Sequence, residues 1–248
     1  MLYLIGIGLR DANDITLKGL EIVKKCDSIY LEGYTSLLAC SIDELSKFYG
    51  KKVTLLGRKE VESDFILDEA KKKKIALLII GDPFGATTHS SLILEAKEKG
   101  ISFEVIHNAT ILSAIGETGL SLYKFGRVVS IPYEIIVDSV YESISENQKD
   151  NLHTLCLLDI RADENRYMTV NEAIKNLLEL EKKHKKKILS PSTIGIGIAR
   201  LSGKDQMIKS GKFSELEKFD FGKQPHCIII PSRKIHFIEE DWIKYWGR

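Results

Sequence analysis

Across the first hundred residues, short and wholly apolar segments alternate with stretches whose apolar residues recur at helical spacing. The apolar segments are residues 2–7, 28–31, 53–56, 75–80 and 103–106, and charged helical patterns such as 16–25, 42–49 and 67–74 lie between them. A strand apolar along its whole length must be covered on both faces, and intervening helices supply that cover. This half therefore predicts a parallel sheet between helical layers. After Gly126 the rhythm loosens. Residues 128–131, 155–158, 194–198 and 227–230 read as strands, with helices near 138–146, 171–183 and 239–245. The stretch 201–212 is long enough for a hairpin or an irregular loop, so the second half predicts a mixed sheet with helices. The change of rhythm places a boundary within 112–126, giving two α/β domains, 1–115 and 116–248.

Composition limits what two such domains can do. At 248 residues and 44% hydrophobic, each half can bury a core. Lys and Arg number 36 against 35 Asp and Glu, a net charge of +1, so no whole-molecule field draws in nucleic acid or an anionic membrane. The longest apolar run, 75–80, is too short to span a bilayer. The opening Met1-Leu2-Tyr3-Leu4-Ile5 has no positive flank and no small-residue cleavage site, and reads as a first strand, not a signal peptide. The four cysteines, Cys26, Cys40, Cys156 and Cys227, form no C-x-x-C pair, and the six histidines show no paired-ligand spacing. Cys156 and Cys227 sit in apolar runs and read as buried thiols. The chain reads as metal-free and cytoplasmic. The basic run 182–187 closes a helix, where cations complement the dipole.

Three strand ends carry the candidate chemistry. Gly6-Ile7-Gly8-Leu9-Arg10-Asp11 follows the first strand but fails the dinucleotide fingerprint, because Asp11 stands at the third glycine's place. Its glycines serve either a close ligand approach or a plain tight turn. Gly81-Asp82-Pro83-Phe84-Gly85-Ala86-Thr87-Thr88-His89 follows the most apolar strand and leads into a helix, the crevice position of an open α/β sheet. It lacks a Walker Gly-Lys-Ser/Thr, and holds more polar groups than a turn needs. A carboxylate beside backbone amides suits a zwitterionic ligand. Ile106-His107-Asn108-Ala109-Thr110-Ile111 places further small polar residues at a strand's carboxyl end. Position favours His107 as a helix-entry hydrogen-bonding residue over a ligand contact.

These segments, with Asp14-Ile15-Thr16, Tyr30-Leu31-Glu32-Gly33-Tyr34-Thr35-Ser36, Gly119-Leu120-Ser121-Leu122-Tyr123-Lys124-Phe125-Gly126, residues 153–160 and 197–201, and Pro225-His226, resemble the diphthine synthases. Those enzymes form one branch of the wider tetrapyrrole-methylase superfamily. The resemblance covers nearly the whole chain, and the 81–89 loop is its most specific part. Arg10 and Leu201 depart from the usual residues at their positions, which concerns ligand fit. The resemblance implies a two-domain tetrapyrrole-methylase-like α/β fold, with a parallel N-terminal sheet, a mixed C-terminal sheet and the cofactor cleft between them. It also implies a homodimer. The implied activity is transfer of methyl groups from S-adenosylmethionine to the amine of a 3-amino-3-carboxypropyl-histidine on elongation factor 2, with S-adenosylhomocysteine as product. Carried over by motif, the cofactor contacts are Leu9, Asp82, Gly85, Thr110, Ile111, Leu158, Leu201 and His226. Without the resemblance, Leu9, Leu158 and Leu201 would read as ordinary core.

The same-fold methylases of corrinoid precursors or ribosomal RNA are the nearest alternatives, and a catalytically silent ligand-binding scaffold is a third. Methyl transfer from a sulfonium needs orientation, exclusion of water and a neutral amine, so no single indispensable base is expected. Eukaryotic relatives carry an insertion after the Leu-Leu-Asp-Ile strand. Here residues 159–168 are expected to run directly into the next helix, as in the shorter archaeal form. That shortness, and the lack of a tail after Arg248, point to a reaction that stops at the trimethylammonium.

Overall fold

The structure, a computed structural model, describes residues 1–86, 89–133 and 137–248. Thr87 and Thr88 of the glycine-rich loop lie outside the described residues. The chain divides into two compact units, Met1–Ala114 with Ala162–Glu164, and Ile115–Arg161 with Asn165–Arg248.

The first unit holds strands β1 (Leu2–Gly6), β2 (Ser28–Glu32), β3 (Val53–Leu56), β4 (Ile75–Ile79) and β5 (Phe103–Ile106). Its helices are α1 (Leu17–Lys25), α2 (Ile42–Tyr49), α3 (Arg58–Val61), α4 (Phe65–Lys72), α5 (Ser90–Glu98) and α6 (Ile111–Ala114). The strands form one parallel sheet in the order β3-β2-β4-β1-β5. Alternate residues feed two separate cores. Leu2, Leu4, Tyr30, Leu77 and Ile79 pack on one face, and Ile5, Ile29, Leu31, Ala76 and Leu78 on the other. That is why the central strands β1 and β4 have no polar face, whereas the edge strands β3 and β5 are partly exposed. Local signals set the helix ends: Ser41 and Glu44 form a capping box at the start of α2, and Gly50 closes it at φ 70°.

The sheet order fixes where a ligand would bind. From β1 the chain crosses toward the β3 edge, whereas from β4 it crosses the other way to β5. Adjacent strands whose connections leave in opposite directions open a crevice at their carboxyl ends. The 6–11 and 81–86 segments flank that switch point.

The second unit holds β6 (Val129–Ile131), β7 (Thr154–Leu158), β8 (Ile160–Arg161), β9 (Arg166–Tyr167), β10 (Ile194–Ala199), β11 (Met207–Lys212) and β12 (His226–Ile230). Its helices are α7 (Asp138–Lys149), α8 (Val170–His184), α9 (Phe213–Leu216) and α10 (Phe237–Gly247). The sheet order is β11-β10-β12-β7-β6, antiparallel except for the parallel β6–β7 pair, so it is mixed. Its core joins Tyr141 and Ile144 of α7, Ile174 and Leu177 of α8, and Phe213 and Phe221. Gly197 on β10 leaves the space Phe221 fills, since a Cβ there would lie 2.3 Å from the ring. The basic run ends α8 as expected, with Lys182, Lys183 and His184 in its last turn and Lys185 leaving at φ 56°. Cys156 and Cys227 are buried, and burial raises both thiol pKa values.

Residues 159–168 depart from expectation. They do not run straight into α8 but form the β8–β9 hairpin, Ile160 opposite Tyr167 and Arg161 opposite Arg166, with Asn165 at φ 49°. Two-residue strands carry no periodic pattern for a sequence reading to detect. Among the described residues, no helix is long and apolar enough to cross a membrane.

Candidate functional site

At the switch point the two loops are joined backbone to backbone. Gly81 N–H donates to the Gly8 carbonyl at 2.7 Å and Gly8 N–H to that of Gly81 at 3.3 Å, with φ 77° at Gly8 and 85° at Gly81. A Cβ on Gly6 would lie 2.6 Å from the Gly81 oxygen. These glycines are therefore needed for loop-to-loop approach.

Asp82 follows this junction and is 8% exposed. Its Oδ1 accepts from Phe84 N–H at 2.9 Å, and its Oδ2 from Asn108 N–H at 3.1 Å and His107 Nδ1 at 2.8 Å. Burial pushes its pKa up, but the two amide donors and the His107 ring outweigh it and leave the carboxyl below its ordinary value. The aspartate is thus charged at neutral pH. His107 is not a helix-entry residue. Its side chain is 67% exposed, and its ring nitrogen faces the carboxylate because β5 ends beside β1 and turns toward the β4 loop.

Sequence reasoning missed Asn108. Its Nδ2 donates to the carbonyls of Gly6 and Asp14, both at 2.9 Å, and its Oδ1 accepts from Ala109 N–H at 2.7 Å. One side chain thereby ties β5 to the β1 loop, while its backbone holds Asp82. Asp14 contributes by accepting from Arg10 N–H at 2.8 Å. The available signal was an asparagine at a strand's carboxyl end, where polar side chains serve loops or ligands.

Gly85 and Thr110 meet across the same crevice. The Thr110 hydroxyl faces the Gly85 carbonyl at 3.4 Å, and a Cβ on Gly85 would come 2.4 Å from that hydroxyl. Thr110 accepts the first amides of α6 from Ser113 and Ala114, placing Ile111 at the start of that helix. Leu9, half-buried, lies on the β1 loop. Leu9, Asp82, Gly85 and Thr110 thus sit on loops, and Ile111 at the first residue of α6, at the carboxyl end of one parallel sheet.

The remaining three candidates belong to the second unit. Ala199 pairs with His226, and Cys227 with Leu157, so Leu158, Leu201 and His226 gather at one end of the mixed sheet. All three are at most 8% exposed. His226 Nδ1 accepts from Val170 N–H at 3.4 Å, so its Nε2 carries the hydrogen, donated to the Lys223 carbonyl at 3.0 Å. Burial lowers its pKa, leaving a neutral ring whose two nitrogens are engaged. Arg200, at φ 52°, sets the turn into Leu201 by donating to the carbonyls of Asp205 at 3.0 Å and Phe221 at 2.8 Å. Among the described residues, no group of three or more His, Cys, Asp or Glu side chains is arranged to hold a metal.

Residues 1–217 match the family model of tetrapyrrole (corrin/porphyrin) methylases. The chain belongs to this family. A parallel sheet with a loop-built crevice, followed by a mixed sheet, is thus the architecture of a tetrapyrrole methylase. The diphthine synthase of Methanocaldococcus jannaschii is 46% identical over 253 residues, covering 99% of this methylase and 98% of the archaeal protein. The diphthine methyl ester synthase of Saccharomyces cerevisiae is 44% identical over 264 residues, covering 98% of this chain and 88% of the yeast protein. A crystal structure from Entamoeba histolytica superposes with TM-score 0.94 at 44% identity, covering all of this methylase and 98% of that chain. The resemblance carried by the strand-end motifs is therefore upheld over the whole chain.

Proposed function

We propose that this methylase is a diphthine synthase. It transfers methyl groups from S-adenosylmethionine to the amine of the 3-amino-3-carboxypropyl-histidine of elongation factor 2, releasing S-adenosylhomocysteine. The observation that carries this reading is near-complete coverage in both directions at 46% identity with a protein of that name. The crevice fits the donor. Asp82 supplies a fixed negative charge suited to a cationic ligand, and Gly85, without a Cβ, lets Thr110 close against its loop. Leu9, Thr110 and Ile111 of the first unit, and Leu158, Leu201 and His226 of the second, would complete the contacts.

Bound S-adenosylmethionine supplies the electrophilic methyl carbon. The chain's residues orient the partners and exclude water, and the acceptor amine attacks in its neutral form. With both nitrogens of His226 engaged, that side chain is not poised to shuttle a proton, in line with a reaction that needs no dedicated base. Two protons leave between the three transfers, and the product is a permanent cation. Transfer stops at the trimethylammonium in this reading. Alignment with the Methanocaldococcus diphthine synthase spans 253 residues, against 264 for the yeast methyl ester synthase, so the yeast protein carries more inserted residues relative to this chain. The protein works in the cytoplasm as a homodimer, without metal, and its macromolecular substrate is a protein, not a nucleic acid or membrane.

Incubation with labelled S-adenosylmethionine and elongation factor 2, unmodified or bearing the precursor side chain, tests the assignment. Label on the precursor-bearing factor alone supports it. Label on ribosomal RNA or a corrinoid precursor instead, or no transfer at all, overturns it.

A further inference from the structure

The second unit contains a polar cavity of about 520 Å³ that the cofactor contacts do not use. Tyr133, Arg166, Tyr167, Thr169, Glu172 and Gln224 line it. It lies beside the group at the sheet end. Tyr133 N–H donates to Asp159, the residue after Leu158, at 3.1 Å. Thr169 precedes Val170, whose N–H reaches the His226 ring, and Gln224 is two residues before that histidine.

Arg166 is the cavity's distinctive group. The β8–β9 pairing carries it to the cavity wall, where its guanidinium carbon sits 3.7 Å from the centroid of the Tyr133 ring. The ring restrains the side chain, and among the described residues no carboxylate forms an ion pair with it. The acidic group of the cavity is already committed. Glu172 Oε2 accepts from Thr169 N–H at 2.8 Å and from its hydroxyl at 2.9 Å, closing the capping box of α8. The cavity therefore offers a cation held by the Tyr133 ring and hydroxyl without a carboxylate partner among the described residues, beside a carboxylate one of whose oxygens is occupied by Thr169.

We infer that this cavity receives the carboxylate of the acceptor amino acid, with Arg166 as its binding residue. The inference rests on the proposed diphthine synthase activity. The acceptor carries an amine, which must be neutral when it attacks, and a carboxylate that stays charged throughout. The carboxylate is thus the handle by which the side chain can be fixed, and a planar guanidinium matches it with two parallel hydrogen bonds. Stacking on Tyr133 pre-orders that fork, so less entropy is lost on binding.

The test is steady-state methyl transfer to precursor-bearing elongation factor 2 by wild type, R166Q and R166K. Calorimetric affinity for S-adenosylhomocysteine and a thermal melt are measured for each. Loss of a charge-assisted pair raises KM for the protein substrate about ten- to hundredfold in R166Q. Cofactor affinity stays within about twofold, and R166K recovers part of the loss by restoring charge without the fork. Wild-type KM in R166Q overturns the inference. So does a parallel collapse of cofactor affinity and melting temperature, which would mark Arg166 as a strut of the hairpin. If wild type itself transfers no methyl group to this substrate, the functional reading falls first and the inference falls with it.

Discussion

Replacing Asp82 by alanine removes the acceptor on which the crevice loops converge. Two backbone donors, Phe84 N–H and Asn108 N–H, lose their partner where the side chain was 12% exposed. Each unsatisfied buried donor costs about 1–3 kcal/mol, and water entering from the crevice relieves part of it, so the net destabilisation is about 2–3 kcal/mol. The His107 contact adds little, because that ring is 67% exposed and finds water instead. Loss of the fixed charge also lowers cofactor affinity by about one to two decades, the equivalent of a hydrogen bond to a charged group at about 1.5–3 kcal/mol. Urea unfolding and calorimetry with S-adenosylhomocysteine measure the two effects, and His107→Ala serves as the control, shifting stability by less than about 1 kcal/mol. The reasoning is refuted if Asp82→Ala unfolds within about 0.5 kcal/mol of wild type and binds as tightly, or if His107→Ala matches it.

Two further outcomes are expected. Glu239 is buried, which raises its pKa, but Lys124, the amides of His236 and Ser121, and the His153 ring outweigh that and hold it at about 2, against an ordinary 4.5. Because the folded value is depressed, this stability is present above about 4.5 and lost as the pH falls toward about 2. It amounts to about 3 kcal/mol at about 1.4 kcal/mol per unit, and Glu239→Gln should flatten that acid limb in urea unfolding measured across the pH range. S-adenosylmethionine binding should be unchanged by EDTA in calorimetry, and an isotherm abolished by the chelator would contradict the metal-free reading.

The central strands of the first unit were legible because a parallel strand buried on both faces must be apolar throughout, whereas its two edge strands are partly exposed and show only as short, mostly apolar runs. Val53–Leu56 and Phe103–Ile106 are found where the sequence places them, and Ile75–Ile79 ends one residue sooner. Helix α4 begins at Phe65, two residues before its apolar rhythm suggested, since a helix start depends on caps that periodicity does not contain. The sequence does not distinguish hairpin from loop at the edge strand Met207–Lys212. Only Ile208 and Ser210 of it are buried, and its remaining residues give no strand pattern. Asp82 could be singled out from its loop alone. Asn108 could not, because its worth lies in bonds to Gly6 and Asp14, far away in the chain and near only after folding. Arg166 and Tyr133 are likewise brought together only by the hairpin and the sheet end. Local pattern revealed the elements, whereas tertiary hydrogen bonding decided which polar residues matter.

Mass spectrometry of the target peptide from precursor-bearing elongation factor 2, followed to completion with S-adenosylmethionine in excess, tests the central claim most directly. The account predicts successive gains that stop at three methyl groups on the amine. An unmodified peptide at long times would contradict the assignment as a diphthine synthase, and a fourth methyl group would contradict the arrest at the trimethylammonium.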